Sequence, residues 1–324
     1  MTKLYSIGEI LIDFIPRQKG VALKDVLFFE RAPGGAPANV AAAVAKYGHE
    51  ASMITKVGCD AFGDYLIEQL ENIGVQTDKI FRTKEANTGL AFVSLKENGE
   101  RDFTFYRKPS ADLLFTENEV KENWFGTGDI LHFCSVDLVE SPMKQAHKRA
   151  IVLMKEKGGL ISFDPNVRLP LWDNSEECRT AILEFLPQAH LVKISDEELE
   201  FITGISNTEE AIQSLFKGDV LAVVYTKGAA GAKLHVKGAN WQSSGYKVDV
   251  QDTTGAGDSF IGGFLFKLLE EQATPKNLVQ VLMERHAEIL QFANASGALT
   301  AAGIGAISAL PKKEQVLNLI EVQK

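Results

Sequence analysis

The run Asp252-Thr253-Thr254-Gly255-Ala256-Gly257-Asp258-Ser259-Phe260 puts a carboxylate directly after a turn of residues with little or no side chain. Beyond it Phe260, Ile261, Phe264, Leu265, Leu268 and Leu269 recur at helical period, so Gly255 to Asp258 are expected at a helix N-terminus. Backbone N–H groups without intrahelical acceptors, together with the helix dipole, make such an end an anion site. The absent side chains let an oxyanion approach the backbone. An acid in the first turn is favoured in its charged form. An ionised Asp258 beside an anion hole can take the proton from a hydroxyl that attacks phosphorus. Read by itself, the run also fits an acidic cap after a glycine-rich turn.

A second run, Gly34-Gly35-Ala36-Pro37-Ala38-Asn39, has Gly48 and Gly58 downstream. The diglycine lets backbone approach a ligand closely. Asn39, at the start of a helix, offers a donor and an acceptor, as a polyol requires. Alone, this run reads as a tight strand-to-helix turn. Other chemistries lack their signatures. No Gly-Lys dipeptide occurs, so there is no Walker A loop, and Gly255-Ala256-Gly257 does not continue as a dinucleotide fingerprint. Nucleophile-elbow, zinc-protease and calcium-loop patterns are missing. The six histidines have no ligand spacing, and His132 beside Cys134 reads as a core residue.

These residues need elements to hold them. Leu4 to Phe14 reads as a strand carrying Asp13, and Val21 to Arg31 as another. Ala36 to Tyr47 reads as a helix stopped by Gly48, Ala51 to Val57 as a short buried strand, and Phe62 to Asn72 as an amphipathic helix ended by Gly74. Leu90 to Arg107 reads as a hairpin about Glu97-Asn98-Gly99-Glu100, with both faces partly apolar. Such a sheet is covered twice, once by ligand or body and once by another subunit. From Asp129 onward strands at Ile130–Cys134, Leu160–Asp164, Leu191–Ser195 and Leu221–Thr226 alternate with helices. That alternation predicts a mostly parallel sheet with helices on both faces, and ligands at the carboxyl ends of its strands.

The 324 residues are 45% hydrophobic and 24% charged, an ordinary globular composition with room for a full core. A net charge of −9 disfavours nucleic acid as a partner. Cys59, Cys134 and Cys178 are odd in number and far apart, which fits free, buried thiols in a reducing compartment. Charges at Glu9 and Asp13 break the early apolar run. The uncharged stretch Ile289 to Pro311 is too polar to span a membrane. A cytoplasmic location is expected.

The runs Gly34 to Gly58 and Asp252 to Leu265 resemble, in residues and spacing, the two signatures of the ribokinase-like (pfkB) carbohydrate kinases. The likeness spans essentially the whole chain and is greatest to the fructokinase-like members of bacteria and plants. Gly8–Phe14, Pro33–Ala41, Phe105–Asp112, Asp164–Trp172 and Asp252–Phe260 carry it. The resemblance implies one three-layer α/β/α kinase domain over 1–324, with a small β-sheet lid from about 12–33 and 88–108. It implies ATP-dependent phosphorylation of a sugar hydroxyl, with D-fructose giving fructose 6-phosphate, and a homodimer through the lid.

By the same resemblance, Asp258 matches the general base, and Gly255, Ala256 and Gly257 the anion hole. Asp13, Gly34, Gly35, Asn39, Asn166 and Arg168 match substrate contacts, and Arg107 closes on the sugar from the lid. Lys193, Ser195, Thr226, Gly228, Gly231 and Asn294 match nucleotide contacts. Glu198 matches an acid near Mg²⁺. Asp252 and Thr254, with carbonyls after Thr300, match a K⁺ site. One departure stands out: relatives carry Asn-x-x-Glu where this chain has Ser195-Asp196-Glu197-Glu198. A 2-keto-3-deoxygluconate kinase, clamping a carboxylate with Arg107 and Arg168, is the main rival. Ribose or nucleoside kinases and a non-catalytic sugar sensor on the same fold are others.

Overall fold

The computed structural model describes residues 2–18, 20–95 and 101–323. Among them the strands are β1 (Leu4–Ile7), β2 (Leu11–Pro16), β3 (Phe29–Gly34), β4 (Ala51–Gly58), β5 (Ile80–Thr83), β6 (Leu90–Leu95), β7 (Arg101–Tyr106), β8 (Ile130–Cys134), β9 (Leu160–Asp164), β10 (Leu191–Ser195), β11 (Ala222–Thr226), β12 (Ala232–Val236) and β13 (Ala239–Ser243). The helices are α1 (Ala36–Lys46), α2 (Ala61–Ile73), α3 (Pro142–Glu156), α4 (Ser175–Phe185), α5 (Asp196–Thr203), α6 (Thr208–Ser214), α7 (Ala256–Glu270), α8 (Leu278–Ala301) and α9 (Lys313–Val322).

Nine strands form one sheet in the order β13-β12-β11-β10-β9-β8-β1-β4-β5. All pairings from β11 to β5 are parallel, and β12 and β13 add an antiparallel edge. Alternate side chains feed opposite cores. Leu4, Ile130 and Leu191 face α1, α2, α7, α8 and α9. Tyr5, Leu131 and Val192 face α3 to α6. Both faces are covered, so β8 and β9 are apolar runs buried at every residue. Among the described residues no helix is long and apolar enough to cross a membrane.

The remaining strands form a second sheet in the order β3-β2-β6-β7, antiparallel except for β2 beside β6. Its residues come from the two stretches the resemblance singles out. The expected hairpin is present as β6 and β7, while its turn, Glu97 to Glu100, falls outside the described residues.

The structure divides what reads as one strand over Leu4 to Phe14. The chain leaves the large sheet after Ile7 and enters the small one at Leu11. Gly8 makes the crossing with φ +144°, where a Cβ would lie 2.6 Å from Pro37 Cγ. The expected strand at Val21 to Arg31 is a 3₁₀ turn at Leu23–Asp25, and β3 begins only at Phe29. Cys134 and Cys178 are buried free thiols, but Cys59 is exposed. His132 is a core residue: its Nδ1 lies 3.1 Å from Ser162 Oγ, and burial pulls its pKa down to about 3.

Candidate active site

α1 and α7 lie side by side because Gly262 lets them touch; a Cβ there would stand 2.6 Å from Ala43 Cβ. This contact brings the first turns of both helices together. Asn39 Nδ2 donates to Asp258 Oδ2 at 2.7 Å. From the chain after β9, Asn166 Nδ2 donates to Asp258 Oδ1 at 3.2 Å. Asn166 has φ +48°, unusual for a residue with a side chain, and its amide is thereby aimed at the acid. Both oxygens of one buried carboxylate are thus oriented by amides from separate elements. Burial raises the Asp258 pKa, against the lowering effects of Asn39, Arg168, Lys193 and Asn166. A base lifted towards neutrality is better matched to accepting a hydroxyl proton.

Asp258 lines a cleft of about 520 Å³ with Asp13, Gly35, Asn39, Arg168 and Lys193. Of two larger hollows, the one of about 810 Å³ adjoins this cleft at Thr253 and the one of about 640 Å³ lies apart, and neither is lined by Asp258. Asp13 enters from β2 of the small sheet. Gly34 is paired beside it, and any side chain there would overlap the Asp13 carboxylate. Gly35 precedes α1 with φ +110°, its Cα so placed that a Cβ would come 2.5 Å from the Glu9 carbonyl oxygen. Gly255 caps α7, and Gly257 presents its bare face to Lys193, whose Nζ would be 3.5 Å from an added Cβ.

Lys193, on β10, is the buried cation of the cleft. Its Nζ lies 3.1 and 3.0 Å from the two Asp164 oxygens. Burial disfavours the ammonium, but Asp164, Glu198 and Asp258 outweigh it and hold the proton on. Three acids share this one ammonium. Burial, with Glu198 and Asp258 nearby, pushes Asp164 up to about 7 despite Lys193. Asp164 as the partner of Lys193 was not visible from sequence; a charge at the end of an apolar strand is the signal that could have found it.

Glu198 accepts from Val167 N–H at 2.8 Å and Ser195 N–H at 3.0 Å. Burial raises its pKa, but Lys193 and these donors prevail, so it is held below the ordinary carboxylate range. Ser195 caps α5 in a reciprocal arrangement with Glu198. With a backbone donor on each oxygen, Glu198 suits a water-mediated contact with a metal better than a direct one. Asp252 Oδ1 accepts from Thr254 N–H and Oγ1 at 2.9 and 2.7 Å, and Oδ2 from Gly305 N–H at 2.9 Å. Its N–H donates to the Ala301 carbonyl. Carboxylate and carbonyl oxygens are the donor set a hard monovalent cation uses, so these residues fit K⁺.

The other expected nucleotide residues gather beside the cleft. Thr226 pairs with Ser195 across β10 and β11. Gly228 and Gly231 lie in the turn that follows; Gly231 is packed against 243–245, while Gly228 faces open space. Asn294, on α8, donates to the carbonyls of Ser243 and Ser244 at 3.2 and 3.3 Å.

Arg107, expected to close on the sugar, is here buried against Asp112 and Asp137, outside the residues that line the cleft of Asp258. A guanidinium removed from water needs carboxylate partners, and these two are the ones it meets.

Residues 1–313 match the family described as pfkB family carbohydrate kinase. Fructokinase-1 of Oryza sativa subsp. japonica is 41% identical over 317 residues, 98% of this chain and 97% of that protein. The fructokinase of Xylella fastidiosa, solved with bound ATP, superposes with a TM-score of 0.91 at 34% identity, over 99% and 98% of the two chains. A double mutant of the Vibrio cholerae O395 fructokinase, solved with fructose, ADP and potassium ion, gives 0.88 at 34% identity, over 99% and 98%. With likeness running through both sheets and across the cleft, the chain belongs to the pfkB family of carbohydrate kinases.

Proposed function

We infer that this chain transfers the γ-phosphoryl group of ATP to the terminal hydroxyl of D-fructose, giving fructose 6-phosphate and ADP. The observation that carries the reading is Asp258, held on both oxygens by Asn39 and Asn166 at the start of α7, in a cleft with a polyol-binding rim. Asp13, Gly35, Asn39 and Arg168 hold the sugar. The terminal hydroxyl gives its proton to Asp258 as its oxygen bonds to the γ-phosphorus and the bond to the bridging oxygen of ADP breaks. The N–H groups of Gly255 and Gly257, with Lys193, meet the charge on the transferring group, while the Ala256 N–H holds the turn through the Thr253 carbonyl. Glu198 would hold Mg²⁺ through water, and the metal, when bound with ATP, would supply neutralisation of phosphate charge. Ser195, Thr226, Gly228, Gly231 and Asn294 form the nucleotide side.

Fructose is favoured over an acidic sugar by the position of Arg107. Its charge is taken up by Asp112 and Asp137, which leaves Arg168 without the second cation of a carboxylate clamp. The test is ADP release with Mg-ATP and K⁺ against fructose, ribose, 2-keto-3-deoxygluconate, adenosine, glucose and mannose. Fructose should give the highest kcat/KM; preference for the keto-acid would overturn the substrate, and no turnover with any acceptor the reaction.

The Asp252 loop is proposed to hold K⁺ behind the anion hole. Replacing K⁺ by tetramethylammonium should lower kcat several-fold, and Asp252→Ala should erase that difference. Equal rates in both salts would leave Asp252 a loop-bracing residue.

The small sheet is proposed to act as a lid and to pair with a second copy. Phe14, Phe29, Phe92 and Tyr106 form one ring cluster, with Phe14 stacked on Phe92 at 4.8 Å and Phe92 5.3 Å from Tyr106. Tyr106 is 63% exposed and Phe28 67%. Light scattering should report twice the 35.5 kDa chain mass at micromolar concentration, and half of that for Tyr106→Glu. A monomeric wild type would sink the dimer.

A further inference from the structure

Behind the sugar rim lies a buried group that the mechanism above does not use. Glu9, between the two sheets, is 2% exposed and lines the cleft beside Asn39. Its Oε1 accepts the N–H of Ala36, the first residue of α1, at 2.9 Å. That bond fixes the carboxyl group, and Oε2 is left buried with no partner. Asn39 is in the complementary state: its Nδ2 is committed to Asp258, and its Oδ1 is buried with no partner. Two cleft-lining groups therefore each hold back one polar atom. A buried polar atom left unpaired costs about 1–3 kcal/mol, so an occupant that satisfies both is favoured.

A hydroxyl requires a donor and an acceptor together. Asn39 Oδ1 can only accept. We propose that Glu9 is a protonated carboxylic acid whose Oε2–H donates to a second hydroxyl of the acceptor sugar, one that does not react, while Asn39 Oδ1 accepts from it. The proposal rests on the sugar-kinase reading of this cleft.

The surroundings keep Glu9 neutral. Asp137 follows β8, Asp112 and Arg107 follow β7, and the Cys134 thiol ends β8. Arg107 is the one cation among these groups and is bonded to both aspartates. Burial first, then the charge of Asp137, push Glu9 up to about 8, with Arg107 and the N–H bonds opposing. At neutral pH the proton is on, and it is lost as pH rises through that value.

The experiment is fructose titration by calorimetry without nucleotide, from pH 6.5 to 9.5, on wild type, Glu9→Gln and Glu9→Met. Glutamine keeps an acceptor for Ala36 N–H and a donor at the other position. Methionine keeps the shape and neither. Wild-type affinity should be flat to about pH 8 and then weaken about tenfold per pH unit. Glu9→Gln should bind within about threefold of wild type at pH 7 and lose the alkaline weakening. Glu9→Met should bind at least tenfold more weakly than wild type does at pH 7, without the alkaline weakening and with KM for ATP unchanged. A flat wild-type profile, or at pH 7 glutamine as weak as methionine or methionine as tight as wild type, each overturns the proposal. If Glu9→Met does not fold, the wild-type and glutamine profiles decide alone. Wild type that binds no fructose at any pH brings down the substrate assignment, and this proposal with it.

Discussion

Replacing Asp258 by alanine is expected to lower kcat at least 100-fold while the dissociation constant for fructose stays within about threefold, since general bases contribute about 10²–10⁴ to rate. The split follows from geometry. Asp258 is the acid both amides hold, but the proposed sugar rim on Asp13, Gly35 and Arg168 is untouched by its loss. Asp258→Asn separates the base from the shape. The unpartnered Oδ1 of Asn39 lets that amide turn over and accept from the new NH₂ group, so the fold has a ready accommodation. Asparagine should be nearly as inactive as alanine. Substantial turnover by the asparagine variant would show that Asp258 orients neighbours and does not take the proton. In wild type, kcat/KM should fall with acidification over a range above the ordinary aspartate value, because burial raises the Asp258 pKa.

Lys193→Met is expected to cost about 3–5 kcal/mol of folding stability, the cost of leaving a buried charge without its partner. Asp164, Glu198 and Asp258 would then face one another with the ammonium gone. The loss depends on pH with a definite sign. Asp164 already titrates at about 7 with Lys193 present, and without it the proton is held still more tightly. The folded state is then favoured at low pH, and the deficit grows as pH rises. Urea midpoints at pH 6 and pH 8.5 should show the larger loss at pH 8.5. Lys193→Met combined with Asp164→Leu should recover most of the stability and none of the activity. Loss of Lys193 should also move the acid limb of kcat/KM to higher pH, since its charge lowers the Asp258 pKa. A single variant as stable as wild type at pH 8.5 would refute the charge assignment.

Much of the large sheet was legible because burial on both faces writes mainly apolar runs into β8, β9 and β10, with His132, Ser162 and Lys193 inside them, and their limits agree with the sequence reading. Strands at a crossing between sheets leave no such mark. Ile7 and Leu11 are equally apolar, and nothing in their periodicity says that Gly8 separates two sheets. The antiparallel edge was missed for the opposite reason: β13 alternates half-buried and exposed residues and carries little apolar signal. At the site, the glycine turn and Asp258 could be found because a helix start needs only local residues. Arg107 could not be placed, since its partners Asp112 and Asp137 come together only in three dimensions. Glu9 shows in the sequence only as a charge that breaks an apolar run; that its Oε2 and the Oδ1 of Asn39 are buried without partners is a property of the fold.

The two glycine crossings have a mechanical consequence. Two of the four connections between the small sheet and the body run through glycines with positive φ, Gly8 between β1 and β2 and Gly35 between β3 and α1. Neither junction has slack: each passes from strand to its next element within a few residues. A swing of the small sheet as the proposed lid would bear on both glycine junctions. One of them leads into the start of α1, where Asn39 holds its amide on Asp258. In that proposal, covering the sugar and setting the angle of the base are geared together, so a substitution that stiffens either junction should detune both at once.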